Sequence, residues 1–223
     1  MGNGADEVRL AMSLPKSKLE SQLLVTPEEY LAQEREAFER SEWLDGLVYA
    51  IAGESLNHSI ICSNIMAELN LQLRGKPCIV FSPNMKVRAE LNPGKSPKGL
   101  FAYPDTMVVC GKPVFHDQHQ DVIVNPKVIF EVLSKSTARY DHEEKFEKYA
   151  QNKSLTDYLL VSQQRPHITH YIRKPRGRWE VVIETKLTGS LVIASIKCKL
   201  KLANVYDRIE FPSLNAVQNP LKP

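Results

Sequence analysis

No apolar run in this 223-residue sequence approaches the roughly 20 residues that a membrane span requires. The opening stretch, MGNGADEVRLAMSLPKSKLES, lacks the basic start and continuous apolar run of a secretory signal. Cysteine is scarce. Cys62, Cys78, Cys110 and Cys198 stand far apart with no C-x-x-C pair, which excludes zinc-finger spacing and argues against a disulfide framework. There is no glycine-rich phosphate loop and no nucleophile elbow, so two large enzyme classes lose their usual signatures. A strong charge bias is also missing. A formal net charge of +3 permits contact with nucleic acid without arguing for it. Together these absences lead us to expect a soluble, reduced, cytoplasmic protein with no membrane contact.

What is present is ordinary for a folded chain: 43% hydrophobic and 25% charged residues. The length suits one domain with a sizeable core. The expected organisation is a flexible tail over 1–20, a single domain over 21–215 and a C-terminal tail over 216–223. Within the domain, Thr26, Pro27 and Glu29 form a helix start, with Thr26 as the cap and Glu29 completing a capping box. Asp45-Gly46 lies between two strand-like runs and signals a tight hairpin. Ile61, Ile65, Leu69 and Leu73 recur at helical spacing, and Gly75 ends that helix. CIVFS, MKVRAEL, LFAYPDTMVVC, VIFEVLS and DYLLVSQ read as strands, with a helix over 138–151 whose core stripe is Phe146, Tyr149 and Ala150. HITHYIRK, RWEVVIET and LVIASIKCKL then form a meander that closes the sheet. The expected class is α/β, a mixed β-sheet flanked by helices with an added C-terminal β-meander.

The chemistry enters through acids in apolar strands. Glu131 sits among Val128, Ile129, Phe130, Val132 and Leu133, a run that reads as covered on both faces. A carboxylate there must find a partner, take a proton or line a wet cleft, because an unpaired buried charge costs several kcal/mol or more. Asp105 follows Pro104 at the entry of another apolar strand. If the two strands are neighbours, the acids converge at one end of the sheet, where a hard cation such as Mg²⁺ would relieve their repulsion. A turn cap for Asp105 and an ion pair with Lys or Arg for Glu131 are the competing accounts. Asp141, Lys145 and Tyr149 fall at i, i+4 and i+8 of one helix, so Lys145 is placed at the margin of its buried face. An exposed Asp141–Lys145 pair is the alternative there.

Three signals read as structural. HDQHQD, with His116, Asp117, His119 and Asp121, has no frame to hold a metal and reads as a solvated loop. His167 and His170 read as sheet-surface histidines. His58 precedes a helix and reads as assisting its start, with proximity to the cleft left open. The basic segments KPRGR (174–178) and KCKLK (197–201) read as turns and solvated strand faces that could also touch phosphate.

Pro104-Asp105, Glu131-Val132-Leu133 and the D-x-x-x-K-x-x-x-Y of 141–149 resemble the PD-(D/E)XK, restriction-endonuclease-like superfamily. More closely, the chain resembles the Uma-type endonucleases of cyanobacteria, from TPEEYL through SEWLDGLVYAIAG, NHS, YPD, FEVLS and DYLLVSQ to YDRIEFP. The resemblance implies a restriction-endonuclease-like fold and a Mg²⁺- (or Mn²⁺-) dependent nuclease acting on nucleic acid, with DNA the expected substrate and a homodimer the expected assembly. Asp105, Glu131 and Glu42 would hold the metal, and Asp105, Glu131 and Lys145 would be catalytic. Leu133 stands where the superfamily lysine would be; the Uma-type pattern moves that lysine to Lys145. A catalytically inactive nucleic-acid-binding or interaction module that keeps the fold is the other reading.

Overall fold

Local signals in the N-terminal third translate directly into structure in the computed structural model, which describes residues 24–51, 53–89, 98–133 and 144–211. Helix α1 (Pro27–Glu36) begins with the full capping box: Thr26 and Glu29 exchange hydrogen bonds between side chain and backbone. Strands β1 (Ser41–Leu44) and β2 (Leu47–Ala50) form a hairpin closed by Asp45 and Gly46. Both turn residues have positive φ, 49° and 98°, the backbone that a two-residue hairpin loop needs and that glycine supplies without strain. Helix α2 (Leu56–Leu73) is capped by the Ser55 side chain and buries Ile61, Ile65, Leu69 and Leu73.

The strands divide into separate sheets rather than one. The first has the order β2-β1-β5-β4-β7, using β4 (Lys86–Ala89), β5 (Leu100–Ala102) and β7 (Val122–Ile123). The second has the order β11-β10-β9-β8-β6-β3. Its members are β3 (Cys78–Phe81), β6 (Thr106–Cys110), β8 (Val128–Leu133), β9 (Asp157–Ser162), β10 (Ile168–Arg173) and β11 (Trp179–Glu184). Within it β8 and β9 run parallel, and the other neighbours are antiparallel. Thus LFAYPDTMVVC, read as one strand, is two strands in two sheets. The chain bends at Tyr103-Pro104-Asp105 because proline cannot donate to a ladder and disfavours helical backbone before it. The last segment of the expected meander also splits, into β12 (Ser190–Ile193) and β13 (Cys198–Lys201), which pair only with each other.

Alternation along β8 explains how the second sheet is covered. Val128, Phe130 and Val132 face a cluster containing the apolar stripe of α2, while Ile129 faces a second cluster containing Tyr149, Tyr158 and Val109. Glu131 falls on the Ile129 side and is 4% exposed. The helix expected over 138–151 is described only from residue 144, with π-helical backbone at 144–145 leading into α3 (Phe146–Tyr149); Asp141 lies outside the described residues.

Three expectations require correction. Cys78 and Cys110 face each other across β3 and β6 and form a disulfide, a pairing invisible in the spacing because sheet register creates it. HDQHQD is not simply solvated: Arg35 of α1 pairs with Asp117 at 2.7 Å and Asp121 at 2.8 Å, and Lys86 reaches Asp121 at 3.0 Å. Arg35, with help from Lys86, holds the Asp121 carboxyl well below the ordinary range. His170 is not on the surface. It is 1% exposed, and its Nε2 lies 2.8 Å from Asp157 Oδ1.

Asp157 also accepts hydrogen bonds from Thr156 and from Ser195, in the turn between β12 and β13, so it fastens that hairpin to the sheet. Burial alone would push its carboxyl up, but the bonds from His170, Ser195 and Thr156 outweigh this and hold it below its usual value. Its stabilising contribution is therefore present above the unfolded-state pKa of about 4 and lost as pH falls through the lower folded value. Denaturant melts across this acid range are expected to show stability falling with pH. The slope should be shallower in Asp157→Asn; an unchanged slope would assign the acid sensitivity elsewhere.

Candidate active site

The bend between sheets carries the first acid. Asp105 comes immediately before β6, whose Thr106 pairs with Phe130 of β8, so the antiparallel register brings Asp105 next to Glu131. A backbone contact locks this placement: Val132 N–H donates to Asp105 Oδ2 at 2.6 Å. The carboxylate is also 3.2 Å from His58 Nε2, at the start of α2. Glu54 approaches the other side of that imidazole at 3.6 Å from Nδ1, and Cys62 Sγ lies 3.5 Å from the same nitrogen. Burial works against protonation of His58, but the bond and charge of Asp105, with Glu54, outweigh it and raise its pKa above the ordinary value.

Glu131 meets a different set of partners. Tyr149 Oη donates to its Oε1 at 2.9 Å, and Lys145 Nζ lies 3.3 Å from the same oxygen. The Lys145 ammonium also sits 3.0 Å from Glu42 Oε1, which places it between two buried carboxylates. Glu42 is anchored in turn by Tyr103 N–H at 3.2 Å, so the bend that carries Asp105 also positions the β1 acid. Burial, reinforced by the Glu131 charge, drives the Tyr149 phenol pKa far upward, so Tyr149 is a hydrogen-bond donor at ordinary pH.

The four residues singled out from the sequence therefore lie in two adjoining groups: Glu42, Glu131 and Lys145 with Tyr149, and Asp105 with His58. Electrostatics link the two. Burial raises the Cys62 thiol pKa most, followed by the negative charges of Asp105, Glu54 and Glu131. Lys145 is 6% exposed, not at the helix margin, and Glu42 is 8% exposed rather than an open strand end. Leu133 packs against the apolar cluster on the Glu131 face.

Sequence reasoning gave no site role to Tyr149 or Cys62 and left the proximity of His58 to the cleft open. Tyr149 reads as core, yet its hydroxyl completes the Glu131 contacts; the eight-residue interval from Asp141 was the available signal. His58 reads as a helix-start residue and Cys62 only as one of four widely spaced cysteines. Only the i, i+4 spacing of His58 and Cys62 could have marked them as a pair.

Asp105, Glu131 and Glu42 present carboxylate oxygens, the donor type that a hard divalent cation takes, and the Lys145 ammonium stands between Glu42 and Glu131. Three similarities to known proteins bear on the fold and lineage. The Uma2 family, described as "Putative restriction endonuclease", matches residues 27–201. Two Synechocystis sp. proteins are similar along most of their length. "Uncharacterized protein sll1609" is 33% identical over 166 residues, covering 74% of this chain and 89% of that protein. "Uncharacterized protein slr1290" is 31% identical over 188 residues, covering 84% and 94%. A crystal structure described as "a putative nuclease belonging to DUF820" from Anabaena variabilis superposes with a TM-score of 0.66. It shares 14% identity and covers 82% of this chain and 97% of its own, so the restriction-endonuclease-like α/β fold is common to both.

Proposed function

From the premise that the chain belongs to the Uma2 family, described as "Putative restriction endonuclease", we propose that it is a Mg²⁺-dependent nuclease that hydrolyses phosphodiester bonds in DNA. The observation that carries this reading is the Lys145 ammonium lodged between Glu42 and Glu131, next to the strand pair that holds Asp105.

In this reading Asp105, Glu131 and Glu42 hold the divalent cation. When bound, such a cation supplies electrophilic assistance to the phosphodiester and acidifies water. The chain's own groups do the rest. The Lys145 ammonium orients the attacking water and offsets negative charge that grows on the phosphate as the new P–O bond forms and the bond to the sugar oxygen breaks. Tyr149, un-ionised and buried, fixes the Glu131 carboxylate by donating to one of its oxygens. Val132 N–H does the same for Asp105. The exposed lysines 197, 199 and 201 and the 174–178 turn are available to the phosphate backbone.

Cutting both strands of a duplex needs two sites, which a homodimer would supply. Supercoiled plasmid incubated with the full chain and Mg²⁺ or Mn²⁺ is expected to give linear product; nicked circles alone would point to a monomer. No cleavage of DNA or RNA with either metal would remove the reading. Leu133 in place of the superfamily lysine favours the alternative, a nucleic-acid-binding module without catalysis. The two separate on metal: the nuclease binds Mn²⁺ in a manner abolished by Asp105→Ala, and the bare scaffold does not.

A further inference from the structure

Beside the oxygen-rich group lies a set of softer donors that the nuclease reading does not use. His58 and Cys62 occupy successive turns of α2 at i, i+4, so both side chains stand on one helix face, where they meet Asp105. One donor atom from each of the three residues lies within 4.8 Å of the others. Tetrahedral Zn²⁺, with bonds of about 2.0–2.3 Å to N, O and S, needs its ligands roughly 3.5 Å apart. Two contacts already have that spacing: His58 Nδ1 to Cys62 Sγ at 3.5 Å and His58 Nε2 to Asp105 Oδ2 at 3.2 Å. Because they use different ring nitrogens, chelation requires a side chain to turn until a single ring nitrogen faces both Cys62 and Asp105.

A further observation points to a ligand. Thr106, 0% exposed and adjacent to Asp105, has a hydroxyl with no hydrogen-bond partner among the described residues. By strand alternation with Val108 it faces the α2 side of the sheet, where a ligand's water would satisfy it. A nitrogen, sulfur and oxygen set of this kind selects the zinc class over Mg²⁺.

We propose that His58, Cys62 and Asp105 form a binding site for Zn²⁺ or a similar thiophilic dication, distinct from the oxygen site but sharing Asp105 with it. Occupancy of this site takes Asp105 away from the hard cation, so zinc opposes Mg²⁺ or Mn²⁺ at the neighbouring centre. That second consequence rests on the nuclease reading; the site itself does not.

Co²⁺ titration of the full chain is expected to produce one equivalent of binding with a thiolate-to-cobalt charge-transfer absorption. The band should vanish in Cys62→Ser and persist in Cys198→Ser. Binding in His58→Ala should weaken at least tenfold. X-ray absorption of the zinc-loaded wild-type chain needs no substitution and should show one sulfur at about 2.3 Å with nitrogen and oxygen neighbours. A zinc shell without sulfur, or a cobalt band that survives Cys62→Ser, would overturn the site. Sharing of Asp105 is read separately by the electron paramagnetic resonance of released Mn²⁺. One equivalent of Zn²⁺ should displace Mn²⁺ from the wild type, while Cys62→Ser should need at least tenfold more. Zinc bound through sulfur with Mn²⁺ retained would sink the competition alone. A chain that binds zinc but cuts no nucleic acid would end the nuclease reading and leave the zinc site standing.

Discussion

Asp105→Asn is expected to lower Mg²⁺-dependent DNA cleavage by about a thousandfold while leaving the fold intact. Asparagine keeps a side-chain oxygen that can accept from Val132 N–H, the contact that locks residue 105 at 2.6 Å, so the bend between sheets should survive. What disappears is a unit of negative charge from the proposed cation site. Loss of one preorganised electrostatic group at a reacting centre typically costs about 10²–10³ in rate, roughly 3–4 kcal/mol of transition-state stabilisation. Asp105 is expected at the upper end because the charge that is lost belongs to a proposed ligand of the cation itself. Plasmid cleavage under saturating Mg²⁺, with a thermal melt as the control for folding, decides the matter. Cleavage within about threefold of wild type in a normally folded variant would mean that the carboxylate is structural.

The second large effect concerns stability. Lys145→Met removes the ammonium that stands 3.0 Å from Glu42 and 3.3 Å from Glu131, all three side chains being less than a tenth exposed. Deleting one member of a buried ionic cluster costs about 3–5 kcal/mol, because the acids that remain lose a compensating charge in a poorly hydrated setting. Methionine fills similar volume, so the loss should be electrostatic rather than a cavity effect. Urea unfolding is expected to report that loss in metal-free buffer. Mg²⁺ at saturating concentration should return part of it, since a bound dication stabilises the state that binds it. The same addition should do less for Lys145→Met, Glu131→Gln, where the excess charge is already reduced. A single substitution costing under about 1 kcal/mol, with no response to Mg²⁺, would show that the ammonium is dispensable to this cluster.

Local rules made much of the architecture readable before any coordinates. The Thr26 capping box, the Asp45-Gly46 hairpin and the α2 stripe each depend on residues within a few positions of one another, and each appears as expected. The division into two sheets was not readable. LFAYPDTMVVC is apolar on both sides of Pro104-Asp105, and Pro104 marks a bend without saying that the strands on its two sides choose different neighbours. Partners distant in sequence were hidden for the same reason. His170 reads as polar surface until Asp157 is seen opposite it, and Cys78 reads as a lone thiol until sheet register brings Cys110 across. At the site, residue types pointed to the acids and to Lys145, whereas the contact between Lys145 and Glu42 spans two elements far apart in the chain. Propensity and periodicity carry no information about such meetings; only the packed molecule does.

The bend at Tyr103-Pro104-Asp105 belongs to neither ladder, and residues on both of its sides help to hold the acids. A chain emerging from synthesis would therefore have no partial version of the cutting centre. Glu42 waits for one sheet, Glu131 for the other, and Lys145 for a segment made later than both. On the nuclease reading, half-made or unravelled molecules are harmless to the genome around them, and competence arrives only when the two layers close on each other.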